Sequence, residues 1–105
     1  MNKNEVQIVL TTCPAERAGE IARVLVQEQL AACVNIVGGM QAVYRWHGQM
    51  EQTTECLLLI KGRSDQYERI QQRLLDLHPY ELPEILAVPV TAGLPAYLAW
   101  LSTQG

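Results

Sequence analysis

The chain has 105 residues, of which 49% are hydrophobic and 18% are charged, and its formal net charge is −3. This length predicts one domain, at residues 1–105, and 8 basic against 11 acidic side chains leave no basic surface for a nucleic acid. The charged fraction lies below the roughly 25% of average soluble domains. We therefore expect either that much of the chain is buried or that a partner covers part of its surface.

The sequence also predicts that the protein has no membrane partner and stays in the cytoplasm. No apolar run approaches the ~20 residues that cross a bilayer, and residues 1–5 lack the apolar stretch of a signal peptide. Cys13, Cys33 and Cys56 are odd in number and far apart, so they form neither a CxxC pair nor a disulfide framework. Reduced thiols in a reducing compartment are the simplest interpretation.

The first half of the chain predicts a strand, a helix and a hairpin. Residues 6–10 form a short, mostly apolar run with β-branched side chains, as in a buried strand, and Pro14 suits the first turn of the helix that follows. Residues 31–37 predict a second strand that ends at a bend or bulge at Gly38-Gly39. Alternating side chains at 42–47 then predict another segment, and Gly48-Gln49 predicts a tight turn. The helix has one apolar stripe, made of Ala18, Ile21, Ala22, Leu25 and Val26.

The second half predicts a long strand, a helix, an edge strand and a short final helix. Residues 51–61 alternate and become apolar on both faces, as a central strand does. Ser64 suits the N-cap of a second amphipathic helix, which must end at His78 because Pro79 cannot continue it. Residues 85–90 predict the last strand, at an edge because Pro89 lacks a donor, and Pro95 begins the final helix.

This order predicts an α+β fold of the ferredoxin-like, split-βαβ type. An antiparallel sheet would carry two helices on one face, with a short C-terminal helix besides. The other face would stay open and carry apolar side chains, among them Val43, Leu57 and Leu59. We expect this open face, and the hairpin with Tyr44 and Trp46, to be buried against other copies of the chain.

The densest group of reactive side chains lies at residues 78–84, a segment that two prolines stiffen. His78 there, with Cys13 and either Glu81 or Glu84, offers ligands for copper or zinc. The structural alternatives are that His78 stabilises the end of a helix and that Cys13 is a small buried hydrophobic residue. No GxGxxG or GxxxxGK[ST] motif occurs, so we expect no nucleotide cofactor.

Aromatic residues of the hairpin suggest a second kind of site. Trp46 and Tyr44 could line a cleft for an organic ligand, with Lys61 and Glu84 supplying charge. Packing of these aromatic rings in a subunit interface is the alternative. No set of Ser, His and carboxylate is recognisable by motif, so we predict that the protein is not an enzyme.

Four segments of the chain, together with its last helix, resemble the CutA family of divalent-cation tolerance proteins. They are AACVNI at 31–36, YRWHG at 44–48, LIK at 59–61 and HPYELPE at 78–84, followed by Gly93, Tyr97, Leu98 and Trp100. The resemblance covers nearly the whole chain. It implies a ferredoxin-like subunit similar to PII signalling proteins, a tight homotrimer whose strands continue across subunits, and a cytoplasmic role in tolerance of copper and other divalent metals.

The resemblance also implies a metal site and a second, different role. Metal binding in the family is associated with a Cys near the end of the first strand, where Thr11 or Cys13 stands here, and with the His before Pro-Tyr, which is His78. We expect weak binding of Cu(II) or another divalent cation by His78, helped by Cys13 or by a carboxylate such as Glu81. The alternative is a PII-like module whose clefts between subunits take a small anion or metabolite. Its lining would be Trp46, Lys61, Tyr80 and Glu84.

Overall fold

The computed structural model of the chain describes residues 5–104. Residues 1–4, which supported the prediction of a cytoplasmic location, and residue 105 lie outside the described part. Within that part, no helix is long and apolar enough to cross a bilayer. The elements are β1 (Val6–Cys13), α1 (Ala15–Gln27), β2 (Cys33–Trp46), β3 (Gln49–Arg63), α2 (Tyr67–Leu77), β4 (Ile85–Pro89) and α3 (Pro95–Gln104), with a 3₁₀ turn (Ser64–Gln66) before α2.

The four strands form one antiparallel sheet in the order β2-β3-β1-β4. Each helix that follows β1 or β3 crosses over one strand, so the two βαβ halves interlock. The predicted α+β, ferredoxin-like fold is therefore confirmed. β4 lies at an edge, as Pro89 predicts, because a residue without an N–H costs least where no further strand pairs.

One face of the sheet packs on α1 and α2 and forms the core. Val9 of β1 pairs with Ile60 of β3, so both side chains lie on this face, and both are fully buried. The apolar stripes predicted for the helices supply the other half of the core. They contribute Ala18, Ile21 and Leu25 from α1, and Ile70 and Leu74 from α2. Val26, predicted for the same stripe, is exposed instead, at its margin.

A bulge in β2 changes which side chains share a face. The register between β2 and β3 shifts between Val37 and Met40, and Gly39 has a positive φ of 70°. Because one extra residue reverses the alternation, Tyr44 and Trp46 lie on the face of Leu57, and Val43 lies on the opposite face. The prediction that Val43 shares the open face with Leu57 was wrong for this reason.

The hairpin between β2 and β3 is longer than predicted, because β2 runs through the bulge without ending. Its turn lies at His47-Gly48, one residue earlier than predicted. Trp46 pairs with Gln49, and the two residues between them have φ of 50° and 77°. A two-residue turn of this twist needs positive φ at both positions, which Gly48 supplies without strain.

The open face is partly covered by the last helix. Leu101 of α3 is buried, and the ring of Tyr97 lies 5.9 Å from the Lys61 ammonium nitrogen on this face. Leu86 and Val88 of β4 pair with β1 residues on the same face, and both remain exposed. An apolar part of the open face is therefore left uncovered in the single chain.

Candidate functional site

His78 connects the end of α2 to the end of β1. Its side chain is only 9% exposed, and its Nε2 lies 2.7 Å from the carbonyl oxygen of Thr12. Its Nδ1 accepts a hydrogen bond from the backbone N–H of Tyr80, at 3.2 Å. Because a carbonyl can only accept, we assign the ring proton to Nε2 and the free lone pair to Nδ1. Both ring nitrogens are thus used within the chain.

The hydrogen bonds of His78 hold the following turn against the sheet. They place Tyr80 where its side chain reaches Glu55 of β3. Its hydroxyl donates to Oε2 of Glu55 at 2.7 Å, and Glu55 is only 8% exposed. Burial raises the pKa of Tyr80 above its usual range, and the hydrogen bond to Glu55 and its negative charge raise this pKa further. The phenol therefore remains a neutral donor at physiological pH.

A cavity of about 920 Å³ lies between the open sheet face, the hairpin and the turn at residues 79–84. Three carboxylates and three aromatic rings contribute to its walls, and no Lys or Arg of the described residues lines it. The Oγ1 of Thr53 is buried without a hydrogen-bond partner in the described part of the chain. The principal lining residues are Leu10, Thr12, Ala42, Tyr44, Trp46, Thr53, Glu55, Leu57, Tyr80, Glu81, Leu82 and Glu84.

Cys13 lies on the other face of the sheet from this cavity. It is fully buried in the core and lies opposite Cys56 of the neighbouring strand β3, and both are free thiols. Burial, with a smaller effect of nearby Cys56 and Glu55, raises the pKa of the Cys13 thiol to about 11. Metals bind the thiolate, so Cys13 must lose a tightly held proton before it can act as a ligand.

The predicted metal ligands do not lie together as a ready-made cluster. Residues 5–104 contain no group of three or more His, Cys, Asp and Glu side chains that could hold a metal ion. Glu81 lines the cavity, whereas His78 contacts the backbone of Thr12 and Cys13 belongs to the core. Thr11, the alternative at the end of the first strand, is also buried on the core face.

Three of the four predicted cleft residues do lie together. Trp46, Tyr80 and Glu84 all line the cavity. Lys61 does not, because it stands four residues along β3 from Leu57, roughly 13 Å at the rise of a strand, and lies near Tyr97 instead. This placement leaves the cavity acidic.

Glu55, which lines the cavity, was not among the site residues predicted from the sequence. The signal that could have found it is a carboxylate within the alternating half of a central strand, on the side occupied by Leu57 and Leu59. A buried position for a charged residue normally requires a partner. The partner, Tyr80, is 25 residues away in the chain and cannot be assigned from spacing.

Comparison with known proteins gives the same family throughout. Residues 7–104 match the family described as CutA1 divalent ion tolerance protein. A divalent-cation tolerance protein CutA from Thermus thermophilus is 46% identical over 90% of this chain and 93% of its own length. The chloroplastic CutA of Arabidopsis thaliana is 43% identical over 92% of this chain, which spans 54% of that relative's length.

Solved structures agree with this assignment. CutA from Xylella fastidiosa superposes with a TM-score of 0.91 at 48% identity, covering 95% of this chain and 97% of the other. A CutA from Nostoc, described as PII-like and in apo form, superposes with a TM-score of 0.87 at 37% identity, covering 93% and 95%. The chain therefore belongs to the CutA1 divalent ion tolerance family.

Proposed function

We propose that this protein serves divalent-cation tolerance as a homotrimeric binding module whose acidic cavity attracts cations. The observation that supports this most strongly is the convergence of Glu55, Glu81 and Glu84 on a cavity that no basic side chain of residues 5–104 lines. A concave site lined by one sign of charge concentrates ions of the opposite sign. The Thermus relative is named for divalent-cation tolerance, which agrees with a cation as ligand.

The PII-like alternative is a module for small molecules. It is favoured by the size of the cavity and by its aromatic walls, which suit an organic ligand. The three carboxylates argue against a small anion as that ligand, because Lys61, the cation expected to attract it, lies outside the cavity. We therefore keep the small-molecule role for metabolites that are not anions.

We propose that Cu(II) or another divalent cation binds weakly, with His78 as the principal ligand and Glu81 or Cys13 in support. With the ring proton on Nε2, the Nδ1 lone pair is the one that His78 can offer to a metal, and it now accepts a long hydrogen bond of 3.2 Å from the backbone N–H of Tyr80. A metal must displace that hydrogen bond, and Cys13 must lose its proton. Both costs lower the affinity.

Titration calorimetry with CuCl₂ tests this metal site. We expect His78→Ala to lower the affinity about tenfold or more, and His47→Ala, at the exposed hairpin turn, to leave it unchanged. The affinity of the unaltered protein should rise with pH, since bound ligands must be deprotonated. Equal copper affinity in the unaltered protein and in His78→Ala would remove His78 from the site.

The trimer is supported by the uncovered apolar face. Val37, Leu86 and Val88 are exposed there, and only 18% of the residues in the chain are charged. Large exposed apolar patches mark interaction surfaces, and closed symmetric assemblies of identical chains are the usual way to bury them. β4 is an edge strand, so a second copy can cover its side chains and pair with its free edge.

Sedimentation equilibrium tests the assembly. We expect three times the 11.8 kDa mass of the chain, and a shift towards the monomer for Leu86→Lys, which puts a charge into the proposed interface. Leu75→Lys is the matched control, because Leu75 is similarly exposed but lies on α2, on the other side of the sheet. A stable monomer for the unaltered chain would overturn the trimer.

The cytoplasmic location remains a prediction of the sequence. Relatives carry names that place them elsewhere: the Arabidopsis protein is chloroplastic and a CutA structure from Archaeoglobus fulgidus is described as periplasmic. Fractionation of cells that produce the full chain, with detection of the protein in each fraction, decides this point directly.

A further inference from the structure

Two cysteines lie directly opposite each other on the core side of the sheet. Cys13 ends β1, Cys56 lies within β3, and the two form one pair of the antiparallel register. Opposite residues project their side chains to the same face of a sheet, and both cysteines belong to the core cluster. Both are free thiols. The fold therefore brings together two thiols from distant parts of the chain, which no CxxC spacing marks.

The distance between the two strands suits a disulfide bond. Opposite residues of an antiparallel pair have Cα atoms about 4.5–5.5 Å apart. Disulfides join Cα atoms that are about 4.4–6.8 Å apart, so the strands need not move for the bond to form. Cys13 and Cys56 are also the last pair of the ladder between β1 and β3. A small adjustment there leaves no further pair of this ladder to disturb.

The bulge in β2 leaves one side of Cys56 open to small molecules. The register between β2 and β3 shifts at Gly38-Gly39, which places these glycines beside Cys56. Gly38 is exposed, and a β-carbon on it would stand 3.9 Å from the Cys56 sulfur. Because glycine has no side chain, nothing of residue 38 lies over the thiol. Cys56 is 5% exposed and Cys13 is fully buried, so a small oxidant reaches Cys56 first.

We propose that Cys13 and Cys56 are a redox modification site, at which hydrogen peroxide forms a disulfide. The Cys56 sulfur attacks a peroxide oxygen, the O–O bond breaks, and Cys56 becomes a sulfenic acid as one water leaves. The Cys13 sulfur then attacks the Cys56 sulfur. The S–S bond forms, the S–O bond breaks, and the Cys13 thiol proton leaves with the hydroxyl group as a second water. Two thiols are oxidised, and one peroxide is reduced to two waters.

The disulfide is reversible, and it goes beyond the proposed function. A small dithiol such as dithiothreitol returns both cysteines to thiols by thiol–disulfide exchange. Both sulfurs are buried, so we expect oxidation over roughly hours, at the slow end of disulfide formation. The oxidised pair has no thiol at Cys13 to offer a cation. Oxidation would therefore remove a supporting metal ligand and leave His78 in place.

Oxidation of the folded Cys33→Ser chain with hydrogen peroxide tests the proposal. Cys33 is half-buried at the start of β2 and would react on its own, and serine keeps a hydroxyl beside Asn35. We expect the free thiols, counted after denaturation, to fall from two per chain to none. The intact mass should drop by two hydrogen atoms, and dithiothreitol should restore both thiols. Digestion of the oxidised, unaltered chain without reduction should yield one peptide pair that links Cys13 to Cys56.

Two variants serve as matched controls in the same Cys33→Ser background. Cys13→Ala and Cys56→Ala each leave one thiol and keep a small apolar side chain in the core. Neither should lose two hydrogen atoms within one chain. Unfolding curves show whether these variants remain folded, and the linked peptide from the unaltered chain gives an answer that depends on neither of them.

Survival of both thiols in the folded Cys33→Ser chain would overturn the inference. Addition of oxygen atoms to Cys56 without a link to Cys13 would overturn it as well. The titration with CuCl₂ decides the proposed function separately, on the reduced protein. Copper binding without disulfide formation refutes this inference alone, and disulfide formation without copper binding refutes the proposed metal site alone.

Discussion

Leu74→Ala should lower the free energy of unfolding by about 3–4 kcal/mol, in the middle of the range of about 2–5 kcal/mol measured when leucine is replaced by alanine in a protein core. Leu74 is fully buried on the inner face of α2 and belongs to the cluster that joins both helices to the sheet. The deletion removes apolar contacts and leaves a cavity that neighbours on rigid strands cannot fill. Such a loss is a large part of the stability of a chain of this size.

The neighbouring Leu75 provides the matched control. It is 48% exposed on the same helix, so Leu75→Ala changes helix propensity equally and removes little burial. We expect it to cost less than about 1 kcal/mol. Urea denaturation of both variants at one protein concentration makes the comparison valid for an assembling chain. Equal losses in the two variants would contradict the assignment of Leu74 to the core.

The helices and the order of the sheet could be predicted because their signals are local. In α1 the apolar stripe repeats at helical spacing, and Pro14 stands at its start as the N-cap residue. In α2 the spacing of Ile70 and Leu74 marks the buried side, and Pro79 limits its end. Once strands and helices alternate in this order, right-handed crossovers leave few arrangements of the sheet. The fold class followed from these elements together.

The orientation of the hairpin could not be predicted, because it depends on one residue in the bulge. Gly38-Gly39 indicated a bend, bulge or turn without deciding among them, and each choice gives a different alternation for the residues that follow. The observed shift between Val37 and Met40 places Trp46 on the face of Leu57. The ring of Trp46 therefore lines the cavity on that face.

The sequence predicted which segment lies beside the cavity, but not the contacts that hold this segment in place. The segment at residues 78–84 was identified from its density of polar groups, and three of its residues do line the cavity: Tyr80, Glu81 and Glu84. The partner of His78 is a backbone carbonyl, that of Thr12, and every residue carries one, so no sequence motif can reveal it. The contact between Tyr80 and Glu55 joins distant segments and depends on the folded geometry.

Tyr80→Phe should lower the free energy of unfolding by about 2 kcal/mol, the usual range for a hydrogen bond to a charged group. The substitution keeps the ring and removes the hydroxyl that donates to Glu55 at 2.7 Å, so a buried carboxylate loses its hydrogen-bond donor. Tyr67→Phe is the control, because the Tyr67 hydroxyl donates at 2.8 Å to a neutral, exposed Gln71. We expect that loss to stay below about 0.5 kcal/mol, typical of surface changes.

A double-mutant cycle separates the hydrogen bond from other effects of the ring. With Glu55→Gln as the background, the acceptor is neutral, and Tyr80→Phe should cost only about 0.5–1 kcal/mol. The difference between the two costs is the coupling energy of the charged pair. Additive effects of the two substitutions, measured by urea denaturation at one protein concentration, would show that the hydroxyl and the carboxylate do not interact in solution.

The stability difference between the unaltered chain and Tyr80→Phe should also depend on pH, and the pKa of Tyr80 fixes the direction of the change. The pKa of Tyr80 is raised in the folded chain above the ordinary value of 10.0, so folding favours the protonated phenol. Its contribution is fully present below pH 10 and is lost as the pH rises through the higher pKa of the folded state. The stability difference between the unaltered chain and Tyr80→Phe should therefore be constant from pH 7 to 9 and shrink above pH 10. A difference that grows with pH would contradict a buried phenol that donates to Glu55, because only an ionised Tyr80 stabilised in the folded chain produces that sign.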